Sequence, residues 1–295
     1  MRARRVLRTL PILLAATAIA AGCGSDDSDA NGSDGSSSKG SSSEIDTPAP
    51  LEAGGDFVVC TDVPYPPAEF LEGSEYVGYE IDLMNEVAER LGTTAVYEKT
   101  LFDAIIPALQ SKKCDAIISS MNVTPEREKE VAFVEYMEIG QSLMVPAGNE
   151  DGIESLDDLA GRAVAVQVGT TLKDALDAKS KELEGAGEDP IDVQTFPDAG
   201  AAAAALKTDK VDVFFGDSPV VADYVVKDEE SFEFAGEPID PLPVGIAIRT
   251  EDTELQEAVQ EAIDAMYEDG TAEELLSEWN VQDFMLSGDS AADEG

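Results

Sequence analysis

The 295-residue chain has no histidine, one tryptophan and only three cysteines. Without histidine there is no Ser-His-Asp or Cys-His nucleophile, and no zinc site with an imidazole ligand. One cysteine stands at position 23, so Cys60 and Cys114 alone remain in the body, too few for a four-cysteine zinc site. Basic residues are scarce: 19 Lys and Arg stand against 62 Asp and Glu, a formal charge of −43. That balance argues against nucleic acid and acidic surfaces as partners and favours solubility in salt. The longest apolar run, from Leu10 to Ala21, is too short to read as a membrane span.

That run belongs to an export signal. Arg2, Arg4, Arg5 and Arg8 precede it, and Ala20-Ala21-Gly22 lie just before Cys23, the pattern of a secretory signal. A Cys directly after the small residues predicts lipoprotein processing. Residues 1–22 are then the signal peptide, and Cys23, carrying acyl chains such as palmitate, is the anchor on the extracellular face of the cell membrane. Ala20 departs from the Leu that lipoproteins usually carry there. Residues 23–54 read as a Ser/Gly/Asp tether without apolar periodicity, which cannot bury enough surface to order itself. Asp27, Asp29, Asn31 and Gly32 begin a calcium-loop spacing, but its twelfth position is Ser38, so the bidentate acid is missing. Residues 287–295 read as a disordered acidic tail.

The middle, about 230 residues, is long enough for two lobes. Strand patterns at 57–60, 95–97 and 115–118 alternate with helical patterns at 78–91 and 102–109, where Ile105, Ile106 and Leu109 face inward. A second cycle follows: a short helix at 156–159, strands at 163–166 and 211–215, and a helix opened by Gly169-Thr170-Thr171. Alternation of this kind predicts mostly parallel sheets flanked by helices. The strand at 244–248 reads as a return to the first lobe, followed by a helix patterned by Leu255, Val259, Ala262 and Met266. Gly270 ends that helix, and Thr271-x-x-Glu274 reads as a capping box for the last one.

Three segments carry residues suited to a small zwitterion. Ser119-Ser120-Met121-Asn122-Val123-Thr124-Pro125-Glu126-Arg127 runs from a strand end, with Thr124 read as the N-cap of a helix and Pro125 as its first residue. Arg127 offers the planar fork that a carboxylate accepts; as a plain helix residue it would pair with Glu126 or Glu130. Gly169-Thr170-Thr171 presents backbone N–H groups at a helix N-terminus, which favours an anion, or is simply a good cap. Asp217 follows a buried strand, where a lone Asp reads most simply as a cap. Tyr65, held between Pro64 and Pro66, offers an aromatic face; Phe102 taken by itself reads equally well as core.

These segments, together with Gly78-Tyr79-Glu80-Ile81-Asp82-Leu83 and the following Val87-Ala88 and Leu91, resemble in order the signature and binding motifs of the bacterial extracellular solute-binding proteins of family 3. The resemblance spans about 56 to 285. Ser120 departs from the usual Gly, Asn122 from Thr or Ser, and Ala68 from Phe. The resemblance implies a two-lobed periplasmic-binding-protein-like α/β fold of type II with two hinge crossovers. Lobe I takes 55–142 and 243–286, and lobe II takes 143–242. It implies a monomeric receptor, not an enzyme, that needs no cofactor or metal, captures a free amino acid and delivers it to the permease of an ABC importer. The implied ligand residues are Arg127 and Thr171 for the carboxylate, Asn122 for the carboxylate or the ammonium, Ser120 beside it, Asp217 for the ammonium, Tyr65 and Phe102 as walls, and Asp62 and Glu69 towards the side chain. Two acids there point to a polar or cationic amino acid. A dehydratase on the same fold, or a sensory surface protein, are the alternatives. If the first-lobe strands are parallel neighbours as in that family, Cys60 lies level with about Ile118 and roughly 13 Å from Cys114, at about 3.3 Å per residue. On that register the two thiols stay free.

Overall fold

The computed structural model describes residues 45–49 and 51–286. The expected signal peptide, the lipidated Cys23, most of the tether and the acidic tail lie outside the described residues. β1 (Asp56–Thr61) is followed by a hairpin of β2 (Phe70–Glu72) and β3 (Glu75–Val77), then α1 (Tyr79–Arg90), β4 (Thr94–Lys99), α2 (Phe102–Gln110) and the two-residue β5 (Ala116–Ile117). After a 3₁₀ turn at Arg127–Lys129 comes the long β6 (Ala132–Pro146). The second cycle holds β7 (Ala163–Gln167), α3 (Thr171–Ala186), β8 (Asp192–Phe196), α4 (Ala199–Lys207), β9 (Val213–Asp217) and α5 (Ser218–Lys227). The long β10 (Phe232–Ile248), α6 (Thr253–Asp269) and α7 (Thr271–Glu278) complete the order. Among the described residues no helix is long and apolar enough to cross a membrane.

The strands form one eight-stranded sheet in the order β4-β1-β5-β10-β6-β9-β7-β8. β4, β1 and β5 are parallel, as are β9, β7 and β8; β10 and β6 join these halves as antiparallel neighbours. β6 and β10 therefore belong to both halves, and their pairing is irregular between Ala235 and Leu242, where the sheet passes from one half to the other. Three antiparallel steps separate β5 from β9, so the C-terminal ends of β1 and β5 face those of β7 and β9 across the middle of β6 and β10. The C-terminal ends of parallel strands are where open α/β sheets hold ligands.

Glycine is required at position 78. Its φ is +133°, and a Cβ there would stand 2.0 Å from the Ala68 carbonyl oxygen. The close approach lets Tyr79 N–H donate to Pro67 O and Glu80 N–H to Ala68 O, at 3.1 Å each. The first turn of α1 is thus capped by the backbone of the Tyr65 loop. Leu83, Val87 and Leu91, the stripe expected to face inward, are fully buried.

Several expectations are corrected. Cys60 and Cys114 form a disulfide, with Cα atoms 5.7 Å apart. The expected register was nearly right, since Cys60 lies opposite Ile117, but counting down a strand from there fails because β5 has only two residues. Cys114 stands before the strand, in a turn with left-handed Lys112 at φ 63° that brings the chain back from α2 over the sheet face. Arg249 holds that turn down, donating through Nη1 to Leu109 O at 3.2 Å and Cys114 O at 2.6 Å. The Thr124–Pro125 segment opens only a 3₁₀ turn, though Thr124 Oγ1 does accept from Arg127 N–H at 3.3 Å. The residues at 156–159 also form a 3₁₀ turn, capped by a Ser155–Asp158 capping box. No such box forms at Thr271: Gly270, at φ 85°, both closes α6 and opens α7, and the Thr271 hydroxyl accepts from Arg90 instead. The tether is packed well before residue 54, because Ile45 and Pro48 are buried and Thr47 Oγ1 donates to Leu91 O at 2.9 Å.

Candidate functional site

A narrow, nearly closed cleft lies between the two halves, lined by Asp62, Tyr65, Phe102, Ser119, Ser120, Asn122, Gln167, Thr170, Leu172 and Asp217. Each polar wall residue follows from the topology. Asp62 comes directly after β1, Ser119 and Ser120 after β5, Gln167 ends β7, and Asp217 ends β9.

Side chains of the two halves meet across the cleft. Tyr65 Oη donates to Asp217 Oδ2 at 2.6 Å, and Gln167 Nε2 to Asp62 Oδ2 at 2.5 Å. Thr171 Oγ1 donates to Asn122 Oδ1 at 2.7 Å. Arg127 donates through Nη1 to Asn122 O at 2.8 Å and through Nη2 to Gly169 O at 3.2 Å, while its guanidinium carbon sits 5.4 Å from the Phe102 ring centre. Three buried atoms of this constellation have no partner: Asp62 Oδ1, Asn122 Nδ2 and Asp217 Oδ1. Orphaned buried polar atoms are costly in a native fold. Here two acceptors and one donor border the same space, complementary to a cation and to an acceptor such as a carboxylate.

Burial dominates the electrostatics. The Asp217 carboxyl is pushed up to about 7 by desolvation, with the bond from Tyr65 working against it. Asp62 is pushed up to about 6, again by burial, and Gln167 opposes the rise. Burial also lowers the Arg127 guanidinium, an effect offset by the charges of Asp174 and Asp217.

Of the expected ligand residues, Asp62, Tyr65, Phe102, Ser120, Asn122 and Asp217 face the cleft. Arg127 and Thr171 reach its rim through the bonds given above. Asp217 is not a helix cap: it precedes α5 without any side-chain capping bond. Glu69 does not line the cleft. It is fully buried behind Ser119, whose hydroxyl donates to its Oε1 at 2.7 Å. Burial and then the neighbouring Glu80 charge push its carboxyl well above the usual range. The pair of acids expected towards the ligand side chain is therefore reduced to Asp62. Ser119, Thr170 and Leu172 lie in or beside segments already singled out, though not as ligand residues themselves, and Gln167 lies outside all of them. The rule that parallel strands bind at their C-terminal ends points to Gln167 once β7 is placed.

The family model for bacterial extracellular solute-binding proteins, family 3, matches residues 57–282. The chain is 30% identical to the histidine-binding periplasmic protein of Escherichia coli K12, over 74% of this chain and 85% of that protein. A solved structure of an ancestral arginine-binding protein bound to arginine superposes with a TM-score of 0.72 at 34% identity, covering 78% of this chain and all of that one. The ancestral amino acid-binding protein AncCDT-1, a precursor of cyclohexadienyl dehydratase, superposes with a TM-score of 0.69 at 34% identity, over 76% of this chain and 95% of that one.

Proposed function

Because the chain belongs to the bacterial extracellular solute-binding proteins, family 3, we propose that it is a receptor that captures a free amino acid between its two halves and hands it to an ABC importer. The observation that carries this reading is the set of unpartnered buried atoms in the cleft. Asp217 Oδ1 is free for an α-ammonium. Asn122 Nδ2 is free for a carboxylate, with the Arg127 fork at the rim beside it. Asp62 Oδ1 is free for a donor on the side chain, which favours a polar or cationic amino acid, and L-arginine is the first ligand to try. The lobes are 55–142 with 243–286, and 143–242, hinged where β6 and β10 change halves. Closure draws its energy from contacts that exist only when both lobes hold the ligand. Cys23 anchors the receptor, as a monomer, to the outer face of the membrane.

A dehydratase needs a general acid aimed at its substrate. Asp217 and Asp62 could offer protons, and AncCDT-1 stands in the lineage of a dehydratase. The guanidinium, orphan amide and acids together match a whole amino acid better than a reaction centre. Calorimetric titration against the common amino acids, run beside prephenate and arogenate turnover assays, separates the readings. Saturable binding of an amino acid without turnover is expected. Turnover, or no binding by any amino acid, would overturn the proposal.

A further inference from the structure

Glu80 is fully buried at the start of α1, where its carboxyl shares a hydrogen bond with the equally buried Glu69. The Glu80 oxygens accept Ser120 N–H at 2.9 and 3.1 Å, and Oε1 also accepts the Ser120 hydroxyl at 2.6 Å and the Tyr136 hydroxyl at 2.5 Å. Three of these four bonds go to one residue. Ser120 is a non-glycine residue at φ 41°, in the left-handed region that a side chain with a Cβ disfavours. The motif that this segment resembles carries glycine at that position. Ser120 lines the cleft, as do Ser119 before it and Asn122 after it. The orientation of this whole wall thus depends on a backbone conformation that serine does not choose by itself.

We propose that Glu80 is a positioning residue for the ligand site: its carboxylate holds Ser120 in the left-handed conformation, and so fixes the wall formed by Ser119, Ser120 and Asn122. Tyr136, on β6, donates to the same carboxylate oxygen as the Ser120 hydroxyl and helps to hold it in place. The ligand side of this inference rests on the function proposed above. A glycine in place of Ser120 would adopt the same φ without the carboxylate, and that sets the test.

The experiment is a double-mutant cycle of Glu80→Gln in the unaltered and the Ser120→Gly backgrounds, read by titration with L-arginine and by the melting temperature of the ligand-free proteins. Whatever affinity Ser120→Gly itself has, it is the reference for its own arm. In the serine background Glu80→Gln is expected to weaken binding by about tenfold or more, and in the glycine background by less than about threefold, with a matching shrinkage of the loss in melting temperature. Equal losses in both backgrounds would overturn the proposal, because a merely structural Glu80 gains nothing from the Ser120→Gly change. If Glu80→Gln fails to fold in the serine background, folding in the Ser120→Gly background supports the proposal and failure in both refutes it. Absence of L-arginine binding by the unaltered protein counts only against the ligand reading. The melting temperatures then decide the role of Glu80 by the same comparison.

Discussion

Lowering the pH from 8 to 5 is expected to weaken amino-acid binding by about two orders of magnitude through Asp217 alone. In the proposed site the α-ammonium pairs with the Asp217 carboxylate, and burial raises Asp217 to about 7. At pH 8 roughly nine-tenths of such a group is ionised, and at pH 5 about one part in a hundred. Competition with the proton then costs a factor of about 90, near 2.7 kcal/mol. Asp62, raised to about 6, adds about another factor of ten for a ligand with a cationic side chain. Stability without ligand moves the other way. Both acids have folded pKa values above the ordinary 3.8, so the folded state holds extra protons. The resulting stabilisation is complete below about pH 4 and is lost as pH rises through about 6 and 7. The ligand-free melting temperature should therefore climb as the pH falls through the window in which affinity drops. Calorimetry with L-arginine at half-unit steps reads the first effect, and differential scanning fluorimetry the second. Asp217→Asn separates the site from relief of the overall negative charge: it should bind weakly at every pH and lose most of the slope. A flat wild-type profile, or an unchanged slope in Asp217→Asn, would refute the reasoning.

Arg127→Ala should cost at least about a hundredfold in affinity, near 3 kcal/mol, with the fold intact by circular dichroism, and Arg127→Lys should not restore it because an ammonium lacks the fork. Near-normal binding would remove Arg127 from the site. Gly78→Ala places a methyl 2.0 Å from the Ala68 carbonyl oxygen and should destabilise by about 3 kcal/mol or more in urea titration; a loss below about 1 kcal/mol would show that the loop gives way. Thiol counting in denaturant without reductant should find neither Cys60 nor Cys114 free, and Cys60→Ala with Cys114→Ala should cost up to about 4 kcal/mol, the loop-closure entropy for a separation of 54 residues. Small-angle scattering should show a smaller radius of gyration at saturating ligand; no change would put binding on one half only.

Sequence periodicity is enough to find α1, α2, α6 and the buried parallel strands, because their patterns are local. The site is legible where a motif ties a side chain to a strand end, as for Asp62, Asn122 and Asp217. What local patterns miss depends on distance in the chain. Gln167 meets Asp62 from 105 residues away, so nothing near either residue announces the bond. Glu69 reads as a loop acid open to the ligand, yet the chain folds Ser119 in front of it, and burial raises its carboxyl pKa well above the usual range. The disulfide is hidden for a related reason. Strand spacing gives distances only within a strand, and Cys114 lies in a turn whose path is set by Arg249, far along the chain. β10 is read only as the short strand at 244–248 because its earlier part mixes polar and apolar residues where the sheet changes halves.

The placement of the first and last described segments has a mechanical consequence. The segment at 45–49 lies against α1 and α6, with Ile45 and Pro48 beside Ala258. At the other end Met285 bridges to Met137 and Leu286 N–H donates to the Tyr267 hydroxyl. Both segments leave from the same half of the molecule. A pull on either one is carried into that half through α1, α6 and the first part of β6, and is not transmitted through the second half. The second half is joined to the first through β6 and β10 and by the side-chain bonds across the cleft, and lies off the direct line of load. Tension or drag on the leading segment therefore does no work on closure, and the receptor's affinity should be indifferent to how tightly its N-terminal end is held.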